Sequence, residues 1–145
     1  MGHRVMRRLR TAYVKIGGIV DGWYEEMPWR KRTPPGIRGE QIAARHLRRC
    51  GYLILAHNYR AAGAEIDLVA LEDRKLVFVE VKFRAGPGFG PAREAADEAQ
   101  RERIRRAARA YAEWRGVPDL PARFDLVAID GAGRAGKLEL LKDAF

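Results

Sequence analysis

Three carboxylates and one ammonium stand inside what reads as a pair of apolar strands. The stretch is "GAEIDLVALEDRKLVFVEVKFR", residues 63–84, and the charged residues are Glu65, Asp67, Glu80 and Lys82. In a strand, residues i and i+2 point the same way. Phe78, Glu80 and Lys82 therefore share one face of the second strand, and Val77, Val79 and Val81 the other. On the first strand Glu65, Asp67 and Val69 share one face, and Ile66, Leu68 and Ala70 the opposite one. A two-residue turn at Asp73-Arg74 aligns the apolar sets and sets Asp67 opposite Glu80 and Glu65 opposite Lys82. Facing Cα atoms in antiparallel pairs lie roughly 4.5–5.5 Å apart, and like charges directly opposite destabilise a sheet. Lys82 offsets part of that repulsion, and a hard divalent cation, Mg²⁺ or Mn²⁺, would offset more. The competing reading is a solvated sheet face of alternating charges, which antiparallel sheets commonly present.

Two more polar residues bear on this patch. Glu40 lies in the first turn of a helix over "GIRGEQIAARHLRRCGY", one turn before Ala43 and Ala44, and can lean toward the domain. A Glu there also interacts well with the helix macrodipole, which is the ordinary reason to find one. Gln100 falls on the apolar stripe of a second helix, one turn before Ile104. Its amide needs a partner, supplied either by an adjacent site or by solvent at the helix edge.

The elements that must position these residues follow from pattern. Gly51 suits the C-terminal cap of the first helix. "YLILAHN", Tyr52 to Asn58, reads as a buried strand and "YRAAGA" as a turn. The two charged strands span Glu65 to Leu71 and Lys75 to Arg84. After the loop "AGPGFGPA", Arg93 to Arg115 reads as a long basic helix with the apolar stripe Ile104, Ala107, Ala108, Tyr111 and Trp114. "ARFDLVAID" is another buried strand, and "GAGRAG" turns into a last strand, "KLELL". The order is α-β-β-β-α-β-β. Neither Gly-rich segment ends in Gly-Lys-Ser/Thr before a helix, so neither is a phosphate-binding P-loop.

A chain of 145 residues is one ordinary domain with a real core. Pro34-Pro35 separates an extension over residues 1–35, basic and aromatic with some helix between Val5 and Tyr24, from a domain over 36–145. The net charge of +9 and the isoelectric point near 10.2 point to a polyanion, either nucleic acid or an anionic membrane surface. One cysteine, Cys50, rules out an intramolecular disulfide and a multi-Cys zinc site, and it reads as a buried structural thiol in an intracellular, cytoplasmic protein. The apolar run "VKIGGIV" is too short and too polar for a membrane span.

A Glu on an initial helix, an Asp on one strand and Glu-x-Lys on the next resemble the PD-(D/E)XK nuclease superfamily, with Ile66 where that name has proline. The match is closer to one branch, the YraN-type uncharacterised protein family. It runs through "RGEQIAARHLRRCGYLILAHNYR", "EIDLVA", "LVFVEVKFR", "GFGPAREA", "RFDLVAI" and the final "DAF", over about residues 38–145. The resemblance implies a restriction-endonuclease-like αβββαβ core, with a mixed central sheet flanked by helices. It also implies Asp67, Glu80 and the Val81 carbonyl as metal ligands, Lys82 as catalytic lysine and Glu40 as a further acidic group. Ala64 departs from the family's usual Gly, and Gln100 from its usual Lys; a helix Gln at a similar place occurs in other branches.

Arg101, Arg103, Arg105, Arg106 and Arg109 on the long helix offer contacts to phosphates, which position nucleic acid without reading its sequence. As a solvated basic face they would need no such partner. The leading reading is thus a Mg²⁺- or Mn²⁺-dependent nuclease acting on nucleic acid, DNA before RNA, in repair or recombination, and compatible with a homodimer. A non-catalytic nucleic-acid-binding module on the same fold is the alternative. A third is a peripheral membrane or partner-docking protein that uses residues 1–35.

Overall fold

The computed structural model describes residues 35–84, 98–131 and 137–145. Helix α1 (Pro35–Arg49) is followed by strands β1 (Leu53–Ala61), β2 (Ala64–Glu72) and β3 (Lys75–Arg84). Helix α2 (Glu98–Trp114) then leads to β4 (Ala122–Asp130) and β5 (Lys137–Leu141). This is the α/β order read from the sequence. The N-terminal extension, the loop "AGPGFGPA", residues 93–97 and the turn at 132–136 lie outside the described residues.

Two tight turns organise the sheet. Asp73 and Arg74 both take positive φ, 45° and 63°, and Ala62 and Gly63 do the same at 50° and 74°. That backbone twist matches the right-handed twist of flanking strands, so each pair closes a two-residue hairpin. Glu72 then faces Lys75, and Ala61 faces Ala64. The first turn is tighter than the "YRAAGA" loop expected, and β1 gains three residues by it. The five strands follow chain order, β1 to β5; only β3 and β4 run parallel.

Each face of the sheet carries one of the two described helices. Ala43, Ala44 and Leu47 of α1 pack on Leu68, Val79 and Val127. Ile104, Ala107 and Tyr111 of α2 pack on Val69, Leu76 and Phe78. The α1 helix ends where Gly51 adopts φ 91°. Its amide donates to the Arg48 carbonyl, and the Tyr52 amide to that of Leu47. Glycine takes that φ without the steric penalty of a Cβ, and Tyr52 then buries beside Leu47.

Several expectations are corrected. Helix α1 starts at Pro35, which suits a first helical position, so Glu40 stands in its second turn and the macrodipole acts on it less. Cys50 is exposed rather than buried, because the residue just before the capping glycine faces out of the turn. Trp114 is 65% exposed although it continues the apolar spacing of α2; the core beneath that stripe ends at Tyr111. Ile66 packs in the α2-side layer with Val69 and Leu71, not on the face of Leu68 and Val79. The strand alternation breaks beside Asn58, whose φ is 49°, between the β1–β2 pairs His57↔Leu68 and Tyr59↔Ile66; the register itself shifts earlier, between Ile54 and Ala56.

The sequence reading also passed over a buried ion network. Asp125 on β4 is fully buried. The Arg123 guanidinium donates to both its oxygens, at 2.8 and 2.9 Å, and to Glu72 at 2.7 Å. The Asp143 amide donates to Asp125 at 3.0 Å, and Lys142 pairs with Glu72 at 2.7 Å. The hydrogen bond to Asp125 pushes the Arg123 guanidinium above its ordinary range, so it stays charged although little exposed. Removing one partner of such a pair leaves an uncompensated buried charge. Asp125→Ala is expected to cost about 3–5 kcal/mol, read as a lower urea midpoint; an unchanged midpoint would show the network to be dispensable.

Candidate active site

The β2–β3 ladder runs from Glu72↔Lys75 to Leu68↔Val79. Beyond Val79, β3 pairs with β4 alone, as far as Arg84↔Asp130. Asp67 therefore stands just past the ladder, whereas the hairpin reading paired it with Glu80. Its Oδ2 accepts the Val81 amide at 2.7 Å. A side-chain carboxylate occupies the place where a strand carbonyl would otherwise accept. On its other side Asp67 stands across from Asn58, between the β1–β2 pairs His57↔Leu68 and Tyr59↔Ile66, and has no Cα partner of its own there. The residue is thus left out of both ladders, and its side chain is available to chemistry.

Glu80 and Lys82 follow on β3. Phe78 faces the α2 layer and Val79 the α1 layer, so strand period carries Glu80 and Lys82 onto the α2 side. Lys82 Nζ lies 2.9 Å from Glu80 Oε1, and the two side chains are 28% and 12% exposed. Glu65, expected to face Lys82, instead pairs with exposed Arg60 at 2.9 Å. The early end of the ladder removes the constraint that would have held Glu65 opposite Lys82.

Glu40 arrives from α1. Gly39 makes this approach possible, since a Cβ there would meet the Phe83 Cβ at 2.9 Å. Burial raises the Glu40 carboxyl above its usual range, with smaller contributions from Glu65 and Glu80, while a hydrogen bond from Asn58 opposes them. Asn58 was missed by the sequence reading. Its available signal was a polar residue within an apolar strand, of a type that tolerates positive φ.

Asp67 is the most perturbed carboxyl of the group. Burial, then the Glu80 charge, push it from 3.8 to about 7, against the Val81 amide and Lys82. Gln100 is half-buried in the first turn of α2. The basic residues of that helix divide. Arg105 pairs with Glu98 at 2.8 Å and Arg109 with Glu102 at 3.2 Å. Arg101 lies 3.8 Å from Glu98, with its guanidinium over the Phe145 ring. Arg106 is exposed and makes no ion pair among the described residues.

The donors suit a small hard cation. Two carboxylates adjoin a strand edge, and the amide and carbonyl of one strand residue point to the same edge. The Val81 carbonyl therefore opens toward Asp67. Among the described residues, no three His, Cys, Asp or Glu side chains converge into a closed cage. Magnesium commonly takes only one or two carboxylates and keeps several waters, so the set fits.

Helices on both faces of a mixed five-stranded sheet, in the order α-β-β-β-α-β-β, give the αβββαβ core of the restriction-endonuclease-like fold class. Residues 39–129 match the uncharacterised protein family UPF0102, and the chain belongs to that family. It is 49% identical to a UPF0102 protein of Shewanella amazonensis over 111 residues, covering 77% of this chain and 98% of the relative. It is 40% identical to one of Pseudomonas entomophila over 124 residues, covering 82% and 98%. It is also 43% identical to one of Geobacter sulfurreducens over 111 residues, covering 76% and 87%.

The raised Asp67 carboxyl has a consequence for stability. The folded chain holds a proton there up to about pH 7, whereas the unfolded chain releases it near 3.8. Stability from this group is therefore full below 3.8 and is lost as pH rises to about 7. Asparagine does not titrate and keeps an acceptor for Val81. Without divalent cations, Asp67→Asn is expected to exceed the wild type in stability at pH 8 by a few kcal/mol, order of magnitude, with the gap closing toward pH 4. Denaturant midpoints at both pH values measure it, and a variant less stable than wild type at pH 8 would refute the assignment.

Proposed function

We propose that residues 36–145 form a Mg²⁺- or Mn²⁺-dependent nuclease domain that hydrolyses phosphodiester bonds in nucleic acid, DNA in the first place. The observation that carries this reading is the undercompensated pair Asp67 and Glu80, the former excluded from both ladders and raised to about 7. Asp67, Glu80 and the Val81 carbonyl would hold the cation, which when bound supplies charge neutralisation and an acidified water. Lys82 is an ammonium within the same cluster. It places positive charge where the phosphoryl oxygens become more negative, and so acts as an electrostatic group rather than a base. Glu40, with its carboxyl partly desolvated, orients the attacking water, and the Asn58 amide fixes the Glu40 carboxylate. No described helix is long and apolar enough to cross a membrane; a nucleic-acid substrate places the work of the protein in the cytoplasm.

Lys82→Ala separates binding from chemistry. Loss of one electrostatic donor typically lowers the rate about 10²–10³-fold. The variant is expected to keep its Mn²⁺-dependent rise in melting temperature while cleavage of a DNA panel falls by that factor. Asp67→Asn should lose both together. A Lys82→Ala protein that cleaves at the wild-type rate would reduce Lys82 to the structural partner of Glu80. If the wild type binds nucleic acid and cleaves none of duplex, single-stranded, nicked or branched substrates with Mg²⁺ or Mn²⁺, the non-catalytic module replaces this reading.

Binding should be salt-sensitive, with a slope of roughly −0.9 in log affinity against log salt for each duplex phosphate neutralised. Because Arg105 already faces Glu98, Arg106→Ala is expected to flatten the slope more than Arg105→Ala. Affinity that stays flat from 50 to roughly 200 mM salt would remove the electrostatic account.

A further inference from the structure

Trp114 is the exposed large hydrophobic residue among those described, at 65%. It closes α2 beyond the buried part of its stripe. Tyr59 lies nearly parallel to it, 20° between planes and 6.4 Å between centroids. Tyr111 braces both rings edge-on, at 5.0 Å from Tyr59 and 5.9 Å from Trp114. Tyr111 is itself 1% exposed and packs against Phe78. The surface aromatic pair thus stands on a rigid core ring. The Arg115 guanidinium lies 5.4 Å from the indole centroid.

This pair borders the candidate active site. Tyr59 follows Asn58 and faces Ile66, the residue before Asp67, across one strand spacing of about 4.8 Å. It also packs in the α2-side layer, to which strand period assigns Glu80 and Lys82. A flat indole and a guanidinium at the surface of a chain with net charge +9 match one kind of partner well, a base attached to a polyanionic backbone. Bases in a duplex already stack on each other, whereas unpaired bases offer free faces that aromatic side chains take up regardless of sequence.

We propose that Trp114 and Tyr59 form a stacking platform for an unpaired nucleobase, seating single-stranded nucleic acid beside the Asp67–Glu80–Lys82 cluster. The proposal rests on the nuclease reading for the use of the platform, and it narrows the substrate to nucleic acid with a single-stranded segment next to the scissile phosphate. Arg115 contributes the adjoining positive charge, and Tyr111 sets the height of the platform.

The test uses the full chain in EDTA, so that binding is read without cleavage. Fluorescence anisotropy compares an oligothymidylate, an abasic oligomer of the same length and charge, and a blunt duplex. Stacking contributes about 1–3 kcal/mol per base, so Trp114→Ala is expected to weaken oligothymidylate binding about 5- to 150-fold. Affinity for the abasic oligomer and the duplex should stay unchanged, and Trp114→Phe should restore most of the loss. Melting temperatures of the variants check that the fold is intact. Equal weakening on all three probes, or none on the oligothymidylate, overturns the platform. Loss of self-association in Trp114→Ala with unchanged oligothymidylate binding assigns the ring to contact between copies of the chain and overturns it too. Because no cleavage is read, a protein that stacks bases yet never hydrolyses would fail the nuclease reading alone. One that hydrolyses without a Trp114 effect would fail the platform alone.

Discussion

The unequal pairing of the two edges of β3 is the constraint on which the site depends. One edge follows β4 in an unbroken parallel register from Leu76 to Arg84. The other leaves β2 after Val79. Past Val79, β3 is held by β4 alone and its second edge is open. Into that opening comes the Asp67 carboxylate, on the Val81 amide. Had the hairpin ladder continued, Val81 would have bonded to a backbone carbonyl and Asp67 would have pointed to a face of the sheet. Parallel pairing in turn requires a crossover, which α2 supplies. The helix that carries the arginines is therefore also the element that allows β3 its open edge.

Two sets of charges occupy this small sheet, and the contrast between them is informative. Around Asp125 the compensation is complete: a bidentate guanidinium and a backbone amide, with Lys142 neutralising the Glu72 carboxylate that shares the guanidinium. Around Asp67 it is incomplete. The Val81 amide, the Lys82 ammonium and the Asn58 side-chain amide face Asp67, Glu80 and the half-buried Glu40, one positive charge against three carboxyls. Buried groups left short of compensation cost stability, and functional sites are where such costs persist. The first set ties β4 to the β2–β3 hairpin and the last residues of the described chain. The second is poised to take a cation.

Around this cluster the sheet brings unlike surfaces together. Helix α1 comes within glycine distance of Phe83 and delivers Glu40. Helix α2 ends beyond the buried layer and leaves Trp114 in solvent against Tyr59. Its arginines are not one uniform basic stripe, since Glu98 and Glu102 neutralise part of it. What remains exposed in charge centres on residues such as Arg106, and what remains exposed in apolar area centres on one indole.

Much of this was legible in the residue pattern. Alternation along residues 64–84, with a turn of two residues at Asp73-Arg74, carried the hairpin register, because side-chain period and turn length leave one alignment that buries both apolar sets. The same pattern marked Asp67, Glu80 and Lys82, since charges inside apolar strands need a reason. It misplaced Ile66 and paired Glu65 with the wrong cation, because alternation presumes an unbroken pleat and Asn58 breaks it. It read Trp114 as core, because helical spacing is blind to where the layer beneath it ends. The clearest division lies in two look-alike pairs on neighbouring strands, Glu80-x-Lys82 and Arg123-x-Asp125. Each puts opposite charges at i and i+2 on one strand face, and the sequence by itself determines no more than that. Tertiary structure decided that Asp125 gains a further donor in the Asp143 amide while Glu80 gains the like charge of Asp67, since the energy of a buried charge is set by neighbours that only folding assembles.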